Sequence, residues 1–414
     1  MFYALCFMLI GIDASRAFIK NRTGIEEYSY QVIRNLVPLL KDDQVVLYVR
    51  KNQKSKIKNQ NVNVKIKIIK FPFLWTQLGL SLEMLFHPVD VLFIPAHTVP
   101  IIHSKNTIVT IHGLEYEFFP RAYSFWERLY MRWSIRNSCR WAKKIIAVSN
   151  NTKKDLMRLY KVPEEKIEVI YEGYEDCHSG LDPESSLKNL DATLDSRFHG
   201  NDKYLLFIGR LEERKNIVGI IRAFEILKKQ HKIPHKLILA GKFGYGEDKI
   251  KNYISKSSYK SEIITPGYIS EEEKWELLKN SDVFLFPTFY EGFGLPILEA
   301  QSAGVPVVAG NNSSILEITT VSASPQMRGG NEGGELKKTY DQPLTLNPSP
   351  HLGRGGVEST LLVNPHNPEK IAEAAYKLIS NKALRDDIIQ RGYENVKRFG
   401  WGKCADQIAK LLTK

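Results

Sequence analysis

The sequence predicts an α/β protein of two successive domains, each a parallel sheet covered by helices. Three observations carry that reading. Short β-branched runs alternate with helix-length patterns almost from end to end. The strand runs are apolar throughout, as in sheets buried on both faces. The alternation breaks in a polar stretch after residue 175 and restarts at residue 203.

In the first half the strand candidates are Leu9–Asp13, Val45–Val49, Val91–Ile94, Thr107–Ile111 and Lys144–Val148, with helices expected over Gly24–Leu40, Tyr123–Ala142 and Asn151–Leu159. In the second half strands are expected at Tyr204–Gly209, Lys236–Ala240, Asp282–Phe286, Pro306–Val308 and Leu361–Val363. The helices between and after them are Asn216–Gln230, Glu271–Lys279, Gly294–Ala303 and Pro368–Ile379. The predicted domains are residues 1–175 and 203–397, Rossmann-like and facing a central cleft, with an irregular linker at 176–202. Residues 398–414 form a final helix. Asp176–Asp202 and Pro325–Gly356 read as loops; the second, with seven glycines and four prolines, interrupts the second domain and is assigned to an insert at about 321–357.

A chain of 414 residues with 43% hydrophobic and 25% charged residues has the profile of a globular protein with ample core. Its net charge of +12 favours anionic partners: nucleotide phosphates, nucleic acid or an anionic membrane surface. Cys6, Cys139, Cys177 and Cys404 are scattered, so no zinc ribbon or redox pair is signalled, and a reducing cytoplasm is the expected setting. No apolar run approaches the roughly 18–20 residues of a membrane span. The first residues lack a basic n-region and a small-residue cleavage site, so no signal peptide is expected, and Met8 is an alternative start.

Two segments carry chemistry. In Phe286-Pro-Thr-Phe-Tyr-Glu291-Gly-Phe293-Gly294-Leu295-Pro-Ile-Leu-Glu299 a strand ends, a glycine-containing loop follows, and a helix opens with Pro296 in its first turn. Such a helix start offers free N–H groups to a phosphate, and nearby carboxylates can accept hydrogen bonds from sugar or ribose hydroxyls. On pattern alone the segment can equally be a turn and a helix with two solvated glutamates. In Phe207-Ile-Gly209-Arg210-Leu-Glu-Glu-Arg-Lys215 a strand and a glycine precede two cations that can hold a diphosphate as negative charge grows on it. By itself that stretch also reads as a solvated mixed-charge loop. Both cations lie on a loop, so their removal is expected to leave folding intact.

Together the two segments resemble glycosyltransferase family 4, the retaining enzymes of the GT-B fold, and the resemblance runs from about Met8 to the C-terminus outside the two irregular stretches. The family's Glu-x7-Glu motif matches Glu291 and Glu299, and its Gly-Arg with a downstream Lys matches Gly209, Arg210 and Lys215. The resemblance implies that Arg210 and Lys215 hold the donor diphosphate and Glu299 the ribose hydroxyls. It places Glu291 against the donor sugar beside the amides of Phe293, Gly294 and Leu295. It also implies an acceptor-side first domain, a donor-nucleotide second domain, and a final helix, opened by Phe399-Gly-Trp401, that packs back on the first domain. Arg22-Thr23-Gly24-Ile25 resembles the glycine loop that approaches the donor phosphates, with Thr23 in place of a first glycine. Thr110-Ile-His112 resembles an element whose histidine faces the transferring sugar, with Gly113 where many members have Asp. No Asp-x-Asp occurs, so no metal and no cofactor beyond the nucleotide-sugar substrate is expected.

Arg128, Arg132, Arg136 and Arg140 recur every four residues among Trp126, Tyr130, Trp133 and Trp141. That pattern suits a helix lying on an anionic membrane or a domain helix with one solvated basic face. The function expected is transfer of a hexose, mannose first, from a GDP- or UDP-sugar to a lipid-linked or surface-polysaccharide acceptor. The setting is cytoplasmic, at the inner face of the membrane. A sugar-nucleotide epimerase of the same fold and a basic nucleic-acid binder are the alternatives. The second lacks any nucleic-acid signature, so no nucleic-acid partner is expected.

Overall fold

Seven parallel strands make the first sheet and six the second, in a computed structural model that describes residues 7–19, 22–50, 63–174, 202–322 and 356–414. The segments expected as loops at Asp176–Asp202 and Pro325–Gly356 lie outside the described residues, apart from Asp202 and Gly356, as do Cys6 and Cys177. Contacts divide the chain into two units, Met1–Gly173 with Phe399–Lys414, and Tyr174–Arg398.

The first unit contains β1 Leu9–Asp13, β2 Gln44–Arg50, β3 Val64–Ile69, β4 Val91–Ile94, β5 Asn106–Ile111, β6 Lys144–Ala147 and β7 Ile167–Val169. They lie in the order β3-β2-β1-β4-β5-β6-β7. Helix α1 Gly24–Leu36 connects β1 to β2 and turns Tyr28, Val32, Ile33 and Leu36 inward, a spacing that puts them on one face. A π-helical turn, Trp75–Leu80, runs directly into α2 Ser81–Phe86. After β5 come the short α3 Glu115–Phe118 and the long α4 Phe125–Trp141. Helix α4 starts where Ser124 and Glu127 cap each other: the Glu127 N–H donates to Ser124 Oγ at 3.2 Å and the Ser124 N–H to Glu127 Oε2 at 2.8 Å. Helix α5 Asn150–Tyr160 precedes β7.

The second unit has β8 Tyr204–Ile208, β9 Lys236–Ala240, β10 Ile263–Gly267, β11 Val283–Phe286, β12 Val307–Gly310 and, later, β15 Leu361–Val363, ordered β10-β9-β8-β11-β12-β15. Its helices are α6 Ile217–His231, α7 Glu247–Lys256, α8 Glu271–Lys279, α9 Leu295–Ser302, α10 Ile315–Thr319, α11 Pro368–Ser380 and α12 Lys382–Val396. A separate antiparallel pair, β13 Thr320–Ser322 and β14 Gly356–Glu358, joins Val321 to Val357. The chain ends in α13 Trp401–Leu412, which returns to the first unit. There it packs on α1, burying Trp401, Cys404, Ala405, Ile408 and Leu412 at helical spacing, with Trp401 edge-on to Tyr28 at 5.9 Å.

In each sheet the strand order reverses once, between β1 and β4 and between β8 and β11. Loops at the carboxyl ends of those strands diverge, and the crevice between them is where open parallel sheets bind ligands. The residues singled out in the second unit follow β8 and β11.

Candidate active site

Strand β8 is followed by Gly209, whose φ of +148° disfavours a side chain. Arg210 follows and projects outward, its side chain 67% exposed and its Nε 3.8 Å from Glu212. A single 3₁₀ turn, Glu213–Lys215, then leads to Asn216 in the left-handed conformation. The Asn216 amide pins this loop by donating to the carbonyls of Pro287, beyond β11, and Pro365, beyond β15. Lys215 is thereby turned inward and buried, with Nζ donating to Glu291 Oε1 at 2.6 Å. The expectation that both cations stand on a freely substitutable loop is corrected for Lys215: it is half of a buried ion pair.

Glu291 lies in the loop between β11 and α9. Its N–H donates to Ser313 Oγ, while Ser314 Oγ donates to the carbonyls of Glu291 and Phe293. Gly294 caps α9 with φ +121°, and a Cβ there would come within 2.8 Å of Ile318. The loop thus delivers Phe293, Gly294 and Leu295 to the start of α9, where the Ile297 N–H donates to the Gly294 carbonyl at 3.0 Å. Arg214 ties the two loops together. Its Nη1 donates to the Tyr290 carbonyl at 2.8 Å and lies 3.4 Å from Glu291 Oε2, and its own carbonyl accepts from the Phe289 N–H.

Burial alone would raise the Glu291 carboxyl, but Lys215 and Arg214 outweigh it and hold the group below its ordinary value. Burial, reinforced by Arg214, pulls the Lys215 ammonium down against the attraction of Glu291. Glu299, just over one turn into α9, accepts from Lys274 Nζ at 2.9 Å. Lys274 also pairs with Glu271, and although burial opposes it, the two carboxylates hold this ammonium above its ordinary value.

In the first unit His112 follows β5, and Pro95 and His97 follow β4. The His112 side chain is 9% exposed, with Nε2 2.8 Å from the Pro95 carbonyl and Nδ1 3.0 Å from Glu172 Oε1. The carbonyl can only accept, so Nε2 donates. His97 adopts φ +48° and meets the His112 ring edge-on at 5.2 Å. Burial, with His112 and Arg16 adding to it, keeps its imidazole far below the ordinary value and therefore neutral. Gly24 opens α1, and a Cβ built on it meets nothing within 4 Å. Its neighbour Thr23 donates its N–H to Glu26 at 3.2 Å.

Both units match known proteins. Residues 22–176 match the profile of glycosyltransferase family 4, and residues 194–322 match that of glycosyl transferases group 1. The chain belongs to glycosyltransferase family 4. An O-antigen chain mannosyltransferase of Escherichia coli is 26% identical to this family 4 enzyme over 303 residues, 73% of this chain and 69% of that one. A mannosyltransferase of Salmonella typhimurium, also named for the O-antigen chain, is 23% identical over 54% of this chain and 57% of its own length. Among solved structures, Anabaena HepE with UDP and glucose superposes with a TM-score of 0.68 at 16% identity, covering 98% of this chain and 99% of that one. The lipopolysaccharide glycosyltransferase WaaG superposes at 0.65 with 13% identity, over 98% and 100%. The fold of this family 4 transferase is therefore GT-B.

In the second unit of this glycosyltransferase, Lys215 meets Glu291, while Glu299 is held apart by Lys274 and Arg210 points into solvent. Sequence reading passed over Arg214 and Lys274, which now partner both glutamates of the Glu-x7-Glu pair, and over His97 and Glu172, which flank His112. Arg214 stands inside the matched motif, and its proximity to Lys215 was a usable signal. His97 and Glu172 carry none, because only strand order brings them to His112.

Proposed function

We propose that this family 4 enzyme transfers a hexose, mannose first, from a GDP- or UDP-sugar to a lipid-linked or surface-polysaccharide acceptor, with retention and without a metal. The single observation that carries the reading is the buried Lys215–Glu291–Arg214 cluster beside the α9 N-terminus, at the ends of the two strands where the second sheet reverses. Likeness to two mannosyltransferases supports the choice of sugar.

In this reading the diphosphate lies across Arg210, Lys215 and the amides of Phe293, Gly294 and Leu295, with the Gly209 and Gly24 backbones close by. Glu299 accepts from the ribose hydroxyls and Glu291 from the sugar, and His112 faces the transferring ring. As the sugar–phosphate C–O bond breaks, these cations and amides stabilise the charge left on the diphosphate. The acceptor hydroxyl attacks from the same face and gives its proton to the leaving phosphate oxygen, so the new bond keeps the donor's α configuration. A metal is not needed because Arg210, Arg214 and Lys215 supply the positive charge. Pairing of Glu291 and Glu299 with cations favours transfer over the epimerase alternative, which does not need the glutamate pair.

We place the reaction on the cytoplasmic face of a membrane, with α4 against anionic lipid. Among the described residues no helix is long and apolar enough to cross a membrane. The test is purified enzyme with each nucleotide sugar and a lipid-linked acceptor, in the presence of EDTA. The expected product is an α-glycoside formed at an undiminished rate. A β product rejects the proposed stereochemistry, and abolition by EDTA with rescue by Mg²⁺ or Mn²⁺ rejects the metal-free mechanism.

A further inference from the structure

The second unit holds a cavity of about 270 Å³ outside the candidate active site, in the angle between α6, α7 and the chain that runs from β15 into α11. That volume is just below the roughly 300 Å³ at which pockets for small molecules begin. Val218 of α6 and Ile250 of α7 give it apolar surface. Aromatic side chains add more. Phe289 and His366 stack, with ring centroids 4.6 Å apart and planes at 24°. Across α6 and α7, the Arg222 guanidinium lies 5.0 Å from the centroid of the Tyr253 ring and donates to its hydroxyl. That bond takes one of the five N–H groups a guanidinium carries.

The charge of the cavity is positive. Arg222 and Lys249 face one carboxylate among the described lining residues, Glu213, which accepts from Lys249 Nζ at 3.0 Å. Aromatic and aliphatic surface beside an arginine suits a small ligand with a flat ring and an anionic group. The ring buries apolar area, and the anion takes charge-assisted hydrogen bonds from the guanidinium. A cation meets the wrong charge there.

The cavity also borders the loop that carries Lys215. Glu213 and Asn216 line it and bracket Arg214 and Lys215 in the same turn. The Asn216 N–H donates to the Glu213 carbonyl at 2.9 Å, and the N–H of Phe289, another lining residue, donates to the Arg214 carbonyl at 3.0 Å. A ligand resting on Glu213, Asn216 and Phe289 therefore stiffens the turn in the form that keeps Lys215 on Glu291.

We propose that this cavity is a regulatory site for a small organic anion with a flat ring, a carboxylate or a phosphate monoester, separate from the donor site and coupled to it through the 213–216 turn. The site stands on its own geometry, whereas the coupling rests on the reading of Lys215 as a donor contact. Holding Lys215 on Glu291 opposes the movement that a diphosphate requires, so occupancy lowers nucleotide affinity. By linkage the nucleotide lowers the affinity for the anion by the same factor.

Isothermal titration calorimetry of the full chain with phenyl phosphate, benzoate and inorganic phosphate tests the site. Phenyl phosphate or benzoate is expected to bind more tightly than inorganic phosphate, because the ring contributes. The tighter of the two names the acid that the site prefers, and either order supports it. Arg222→Gln with Lys249→Gln should weaken the binding by about tenfold or more. Val218→Phe fills the cavity without removing a charge and should weaken it by a similar factor, with circular dichroism and urea unfolding checking that the variants are folded. Arg210→Ala, in the donor loop, should leave it unchanged. Saturating phenyl phosphate should raise the Kd for GDP or UDP by about fivefold and no further. Absence of binding to the parent, or binding that survives both cavity changes, overturns the site. Binding lost in Arg210→Ala, with a nucleotide Kd that rises without limit as the probe is added, places the probe in the donor site and overturns it too. An unchanged nucleotide Kd overturns the coupling. A parent that binds phenyl phosphate but neither nucleotide counts against the transferase reading and leaves the site standing.

Discussion

Lys215 and Glu291 neutralise one another at 2.6 Å before any donor arrives, and that contact governs what each can do next. If Lys215 holds the donor diphosphate as proposed, the phosphate must draw it partly away from Glu291, whereas Arg210 is exposed, with its acidic neighbour Glu212 3.8 Å away. Arg210→Ala is therefore expected to lower kcat/KM by about 10²–10³-fold, the usual loss for one electrostatic donor, with unchanged urea unfolding. Lys215→Ala should lose as much activity and stability as well. Breaking a buried pair costs about 3–5 kcal/mol, and Arg214, 3.4 Å from the orphaned carboxylate, offsets part of it. Near-normal turnover in both variants would remove the diphosphate role. An unchanged urea midpoint for Lys215→Ala would show that the pair contributes nothing to the fold.

At the scale of elements, the starts of α1 and α9 both carry glycine for different reasons. Gly294 sits at φ +121° against Ile318, so Gly294→Ala is expected to destabilise the second unit by about 1–3 kcal/mol and to weaken donor binding. Gly24 faces open space, so Gly24→Ala should keep or slightly raise the melting temperature; if the proposed donor site extends to this helix start, the added methyl should also weaken nucleotide-sugar binding. Unaltered donor affinity in Gly24→Ala would take that helix start out of the site.

The β13–β14 pair gives a pH prediction. Glu358 is buried, neither carboxylate oxygen has a hydrogen-bond partner, and burial pushes the group up to about 7 although Arg391 opposes this. The folded chain keeps this proton over the range from 4.5 to about 7, in which the unfolded chain releases it. The resulting stability is fully present below 4.5 and is lost as the pH rises through about 7. Glu358→Gln should thus raise the melting temperature by a few degrees at pH 8 and hardly at all at pH 4, as about 1–2 kcal/mol would do. An equal effect at both pH values would contradict the assignment.

For the whole molecule, β13 and β14 show where the second unit can be shortened. The ladder uses Val321 with Val357 and Ser322 with Gly356, so the insert expected over 321–357 includes residues that the fold uses at both ends. Replacing 323–355 with Gly-Asp-Ala-Ala keeps the ladder and removes about three doublings of loop length, roughly 2 kcal/mol of closure entropy. The expected outcome is full activity and a higher melting temperature by calorimetry. A folded variant without donor binding would assign those residues to the site. An unfolded one would assign them to the core.

The sequence by itself determined the parallel α/β fold and most element positions. Strands such as Leu9–Asp13, Lys236–Ala240 and Leu361–Val363 are marked by continuous apolar runs, which are local signals. It also supplied the site's motif residues, since Gly209 to Lys215 and Glu291 to Glu299 are short spacings within single loops and helices. Only the tertiary structure decided which charges meet: Lys215 with Glu291, Lys274 with Glu299, His112 with Glu172. Those partners lie 76, 25 and 60 residues apart, joined through strand order and helix packing that hydrophobic periodicity does not encode. Residues 74–86 show a related case: Trp75, Leu80 and Met84 are buried while Leu78, Leu82 and Phe86 are exposed. With apolar residues on both faces, nothing in the sequence marks which face the core takes and which it leaves in water.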